Sequence, residues 1–147
     1  MSTHAYGTAL ITGASTGIGA IYADRLARRG HDLILVARNR QRLDELARRL
    51  TDETGRSIQV FPADLGDAAG VADVEQLLRT DRSISMLVNN AGMGAVSPLL
   101  ESDVARMTQM IELNIGALTR LTYAAVPGFV ERGQGAETGM LERHHFR

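Results

Sequence analysis

Short apolar runs and longer amphipathic stretches take turns along the chain, and this alternation predicts its elements before any chemistry is considered. Thr8-Ala9-Leu10-Ile11-Thr12 is the first run, and it leads straight into glycines at 13, 17 and 19. Ile18, Ile21, Tyr22, Ala23, Leu26 and Ala27 then recur at helical spacing from about Gly17 up to Arg28-Arg29-Gly30, where basic residues precede a glycine suited to the position just past a helix end. Leu33 to Ala37 is apolar throughout, as a parallel strand covered on both faces must be. Residues 39–54 carry Leu43, Leu46, Ala47 and Leu50 on one helical face and end at Gly55. Ser57 to Phe61 alternates as a third strand closed by Pro62, and Asp67 is placed to cap a helix through Val71, Val74, Leu77 and Leu78. A fourth strand is expected over Ser85 to Asn89. Helical periodicity returns from Glu101 to Glu112 and from Asn114 to about Glu131, with Pro127 and Gly128 kinking or ending the last helix.

Four rounds of strand and helix imply an α/β, doubly wound parallel sheet with helices on both faces. Ligands of such sheets bind outside the carboxyl ends of the strands. Gly13, Arg38, Asp64 and Asn90 each fall just after successive strands, so the four are expected to line one crevice. The first turn has its own chemistry. Gly13 permits a sharp departure from the strand, Gly17 and Gly19 permit close approach of backbone and helix, and the helix start aims unpaired N–H groups at an anion such as a pyrophosphate. A tight loop would show similar glycines, and what raises the specificity is the place of this turn after the first strand of an alternating pattern.

Composition narrows the classes. The chain has 147 residues, one domain's worth, and a formal charge of −1, which gives no electrostatic reason to expect nucleic acid or an anionic membrane surface. It contains no cysteine, excluding disulfides and thiolate chemistry. All 16 of its Lys/Arg side chains are arginine, so a Schiff-base lysine, a phosphate-binding lysine and a Tyr-Lys catalytic pair are excluded within these residues. No metal site is expected, because the adjacent His144 and His145 have no third ligand at metal-binding spacing. Without a leader-like or membrane-spanning apolar run, a cytoplasmic protein is expected.

Thr12-Gly13-Ala14-Ser15-Thr16-Gly17-Ile18-Gly19, taken with Asn89-Asn90-Ala91-Gly92, resembles the short-chain dehydrogenase/reductase family, with its TGxxxGxG turn and its NNAG segment after the fourth strand. The resemblance covers residues 8 to about 136. It implies a Rossmann-like sheet, here of about four strands in the order 3-2-1-4, with residues 1–136 as the cofactor-binding unit and 137–147 as a disordered tail outside the family pattern. It also implies cofactor contacts from Gly13, Ser15, Thr16, Gly17, Ile18 and Gly19 at the diphosphate, from Asp64 and Leu65 at the adenine, and from Asn90, Ala91 and Gly92 at the second ribose. Asn114, in the context Leu113-Asn114-Ile115, matches the family's active-site asparagine. Relatives that prefer NAD carry an acidic residue after the second strand. Arg38 stands there instead, and a guanidinium suits a 2′-phosphate, so NADP(H) is expected over NAD(H), with Ser15, Asn39, Arg40 or Arg42 as helpers. Quieter roles stay open: Arg38 as a solvated loop residue, Asn89 and Asn90 as partners of strand-end backbone, Asp64 as a cap, and Asn114 as a side chain holding a helix bend.

The family's hydride transfer between nicotinamide and an alcohol or carbonyl uses a serine, a tyrosine and a lysine four residues after the tyrosine, all beyond a fifth strand. None of Tyr6, Tyr22 and Tyr123 can complete that pair, and no serine follows Ser102. Residues 137–147 are polar and lack strand alternation, so the chain reads as stopping before the catalytic half, by a shifted frame, an early stop or a natural short form. Activity of the chain alone is therefore expected to be lost, the alternative being a non-catalytic dinucleotide-binding module or one half of a split protein. An open edge on the fourth strand, together with the family's pairing through the helices at 101–131, leads to an expected homo-oligomer.

Overall fold

The computed structural model describes residues 6–91, 99–133, 135–138 and 143–146. The elements run β1 (Thr8–Thr12), α1 (Gly17–Arg28), β2 (Asp32–Ala37), α2 (Arg40–Thr54), β3 (Ile58–Pro62), α3 (Ala68–Thr80), β4 (Ile84–Val88), a short 3-10 turn (Leu99–Glu101), α4 (Val104–Glu131), β5 (Gly135–Thr138) and β6 (Arg143–Phe146). The sheet order is β3-β2-β1-β4-β5-β6. Its first four strands are parallel in the expected 3-2-1-4 arrangement, with Leu10 opposite Ile34 and Leu87, and Ile34 opposite Gln59.

The side-chain period of two splits the core into two layers. Ala9, Ile11, Leu33, Leu35 and Val88 pack under α1 and α2, which bring Ala23, Leu26, Leu43 and Leu50. Leu10, Ile34, Val36, Ile84 and Leu87 pack on the other side under α3 and α4, which bring Val71, Val74, Leu121 and Phe129. From Leu33 to Ala37 β2 is apolar because both of its faces are covered. Gly55 ends α2 in the left-handed conformation, φ +71°, and its N–H donates to the Thr51 carbonyl at 2.9 Å.

Two expectations are corrected, the open edge on β4 and the break within the helical stretch at 101–131. Beyond the four expected strands, β5 lies parallel on the β4 edge, Val88 opposite Thr138, and β6 runs antiparallel to β5. The β4 edge is therefore paired, and residues of the segment expected to be a disordered tail contribute β6 and the end of β5. Ladder bonds come from backbone groups, so an open edge accepts a segment whose side chains show no strand alternation. The helical stretches at 101–112 and 114–131 are a single helix, α4, which runs through Pro127 because Phe129, buried beyond it, anchors the last turn. Asp67 occupies the N-cap position of α3 without a side-chain capping bond.

At the amino ends of the strands, the His31 imidazole is buried, with Nδ1 lacking a hydrogen-bond partner, beside the Tyr6 ring at 5.4 Å between centroids. Burial first, and then the Arg56 and Arg29 charges, lower its pKa below the ordinary 6.5, against the Gly7 carbonyl and Asp32. The fold thus favours neutral His31. Stability is expected to be full above the unfolded-state pKa of 6.5 and to decline as pH falls through that value toward the lower folded-state pKa. Thermal melts of the parent chain and His31→Gln between pH 8 and pH 5 check this: the parent should lose more melting temperature than the variant, and parallel curves would refute it.

Candidate functional site: a crevice at the carboxyl ends of the strands

The loop after β1 is built by contact, not by flexibility. Gly13 has φ +63°, and a Cβ there would lie 2.9 Å from the Ala91 Cα. A Cβ on Gly19 would land inside contact distance of the Gly13 carbonyl oxygen, so α1 meets the turn backbone to backbone. Gly17 has φ +59° with open space around it. Thr16 caps α1 with extended backbone and no side-chain capping bond, and the first turn holds no acidic residue, which leaves the helix's N-terminal dipole directed at the crevice mouth.

Thr12 ties this turn to the loop after β4. Its hydroxyl, buried at the end of β1, donates to the Val88 carbonyl at 3.3 Å and accepts from the N–H groups of Asn90 at 3.0 Å and Ala91 at 2.9 Å. Asn90 Nδ2 donates to the Gly13 carbonyl at 3.3 Å, and Asn89 Nδ2 donates to Thr122 Oγ1 on α4 at 3.2 Å. The quieter role of these asparagines, satisfying backbone at a strand end, is thus real for Asn90, and it also holds the loop beside the glycine turn.

After β2, Asn39 Oδ1 accepts from the Arg42 N–H at 3.1 Å and caps α2, and Arg38 and Arg42 beside it both line the crevice. Neither arginine enters an ion pair among the described residues, whereas Arg40 is paired with Asp44 at 3.6 Å. After β3, Asp64 Oδ1 accepts from the Gly66 N–H at 2.8 Å, closing a tight turn. A Cβ on Gly70 would strike the Asp64 backbone, so α3 too is drawn close to its strand end.

These turns enclose a crevice of about 460 Å³. It is lined by Gly13, Ser15, Thr16, Arg38, Asn39, Asp64, Leu65, Asn90, Ala91 and Asn114, bringing together residues drawn from five places in the sequence. Gly17, Ile18 and Gly19 do not line it: Ile18 is 65% exposed at the start of α1, and Gly19 is buried behind the turn it shapes. Gly92 lies outside the described residues. Of the proposed helpers, Arg42 lines the crevice and Arg40 does not. Leu113 and Ala117 of α4 and Gly66 line it without having been singled out, as does the end of β2 at Val36 and Ala37. Helical spacing from Asn114 could have pointed to Ala117. Among the described residues no cluster could hold a metal ion, and no helix is long and apolar enough to cross a membrane.

The volume falls within the range of small-molecule sites, and the lining suits a nucleotide: two guanidiniums, a turn without side chains at its closest approach, and apolar Leu65 and Val36. Comparison with known proteins points the same way. The family described as short chain dehydrogenase matches residues 7–136. The chain is similar to a short-chain dehydrogenase from Sphingobium yanoikuyae solved in complex with NADPH, at 51% identity and TM-score 0.84, covering 89% of this chain and 52% of that one. It is similar to the bulky-bulky ketone specific alcohol dehydrogenase from Comamonas testosteroni, at 47% identity and TM-score 0.84, covering 89% and 53%. A very-long-chain 3-oxoacyl-CoA reductase of Anas platyrhynchos is 34% identical over 131 residues, which make up 86% of this chain and 42% of that protein. The chain thus spans about half the length of the relatives it matches.

Proposed function

The chain belongs to the short-chain dehydrogenase family, and from that membership and the crevice we propose that it is the NADP(H)-binding part of an oxidoreductase acting on an alcohol or carbonyl. The observation that carries this is the joint placement of Arg38 and Arg42 with the Gly13 turn in one crevice. The diphosphate sits at the turn against the start of α1, held by backbone around Ser15, Thr16, Gly17 and Ile18, while Gly13 and Gly19 keep that approach open. Arg38 and Arg42 take the 2′-phosphate with Asn39 and Ser15, and an acidic side chain after β2, which would repel that group, is lacking. Asp64 and Leu65 flank the adenine, and Asn90, Ala91 and Gly92 lie along the second ribose. NADP(H), when bound, supplies or accepts a hydride. Asn114, brought to the same crevice by α4, positions groups at the reacting end.

Residues 1–136 form the cofactor unit, and 137–147 lie past the family match. Within the 147 residues there is no lysine to pair with a tyrosine, so this chain by itself binds coenzyme without turnover. The outward residues of α4, among them Val104 at 78%, Ile111 at 51%, Ile115 at 61% and Tyr123 at 77% exposure, support a homo-oligomer. NADPH fluorescence titration paired with an NADPH-oxidation assay over aldehydes and ketones tests the proposal. Saturable binding with no turnover is expected. Turnover abolished by Asn114→Ala would show instead that the chain is catalytic as it stands.

A further inference from the structure

α4 reaches the crevice with the half that the core does not hold. No residue of α4 before Leu121 is buried, and its core contacts, Leu121, Ala124, Ala125 and Phe129, lie from there onward. So do two of its polar ties: Thr122 Oγ1 accepts from Asn89 Nδ2, and Arg132 donates to the Ile84 carbonyl at 2.8 Å. Leu113, Asn114 and Ala117, which line the crevice, precede all of these. An ion pair falls between. Glu75 of α3, only 5% exposed, meets Arg120 Nε of α4 through Oε1 and Arg79 Nη2 of its own helix through Oε2, the latter at 3.4 Å. Oε1 accepts no hydrogen bond, so charge joins it to Arg120. Arg120 follows Leu113 by seven residues and Ala117 by three, which puts the three along one stripe of the helix. α3 is in turn seated on the turn after β3, through the close approach of Gly70 to the Asp64 backbone. That turn faces α4 across the crevice: a Cβ on Gly66 would lie 3.9 Å from Leu113 Cδ1.

We propose that Glu75 is a positioning residue for the crevice: by holding Arg120 it sets how far α4 stands from the Asp64 turn, and so where Leu113 and Asn114 meet a bound coenzyme. Stability does not call for a carboxylate at this place. Burying a charge costs desolvation, and apolar packing in place of a buried ion pair is often as stabilising or more so. What the charge adds is a fixed pairing between one point on α3 and one on α4, close to the residues that must be placed. The inference rests on the proposed coenzyme site.

Glu75→Leu in the 147-residue chain separates positioning from stability. Urea melts should show stability equal to the parent's or higher. NADPH affinity should nevertheless fall about threefold or more, and the Asn114 side-chain amide signal in NMR spectra of the coenzyme-free protein should shift. Glu75→Gln, close in shape to the parent side chain, should give the same two effects and carries the test if the leucine variant does not fold. Arg120→Lys keeps the charge and should leave signal and affinity near the parent's. Arg56→Gln is the control: it breaks the pair with Asp32, 2.8 Å at the amino ends of the strands, and should lower stability while leaving the Asn114 signal and NADPH affinity unchanged. An Asn114 signal unmoved by the Glu75 substitutions overturns the proposal, as does an affinity that simply follows stability across the variants. A parent chain that binds no NADPH would count against the proposed function, whereas the Asn114 signal would still report whether Glu75 positions α4.

Discussion

Gly19→Ala is expected to remove measurable NADPH binding and to destabilise the fold by about 1–3 kcal/mol, the range for forcing atoms into a packed site. The added methyl would fall on the Gly13 carbonyl oxygen, a backbone atom that cannot rotate aside. α1 must then withdraw from the turn or the turn must open, and both changes move the helix N-terminus away from the anion it is to hold. Asn90 Nδ2 also lies close to that methyl, so the tie between the β4 loop and Gly13 is disturbed as well. Gly17→Ala is the informative control. Its methyl meets open space, and the cost comes only from a left-handed φ of +59°, about 1–2 kcal/mol. Urea melts and NADPH titrations of the two variants should therefore separate them, with Gly19→Ala losing more affinity. Equal affinities would show that close approach of α1 to Gly13 is irrelevant to binding.

Arg38→Asp is expected to reverse coenzyme preference. Hydrogen bonds to charged groups are worth about 1.5–3 kcal/mol, so loss of the guanidinium alone weakens NADPH about ten- to hundredfold. The introduced carboxylate adds repulsion toward a 2′-phosphate and gives an acceptor for a free 2′-hydroxyl, so NADH should bind no worse than before or better. Arg38 has no ion-pair partner among the described residues whose loss would confuse the result. Parallel titrations with both coenzymes check it, and equal weakening of the two would mean that Arg38 is a solvated loop residue.

The centre of the sheet was legible because β1 and β2 are buried on both faces. Leu33 to Ala37 has no polar residue to permit another reading, and the helices between strands show their buried stripes, Leu43, Leu46, Ala47 and Leu50 among them. β5 and β6 were not legible, since they join through backbone pairing at an edge and their side chains carry no period. The continuity of α4 was hidden by Pro127, whose local cost is overridden by burial of Phe129 farther along. Within the site, Gly13, Arg38, Asp64 and Asn90 were readable because each follows a strand, and topology alone brings such positions together. Leu113 and Ala117 reach the crevice through the packing of α4 on α3, a tertiary contact with no local signature. Gly70 carries no local signal of its close approach to the Asp64 backbone, which is a tertiary contact.

Isothermal titration of the folded 147-residue chain with NADPH and, separately, with NADH bears most directly on the central claim that the crevice between the Gly13 turn and Arg38 seats NADP(H). A single saturable site is predicted for NADPH, at least about tenfold tighter than for NADH. No heat from either coenzyme, in material whose circular dichroism and melting show an intact fold, would contradict it.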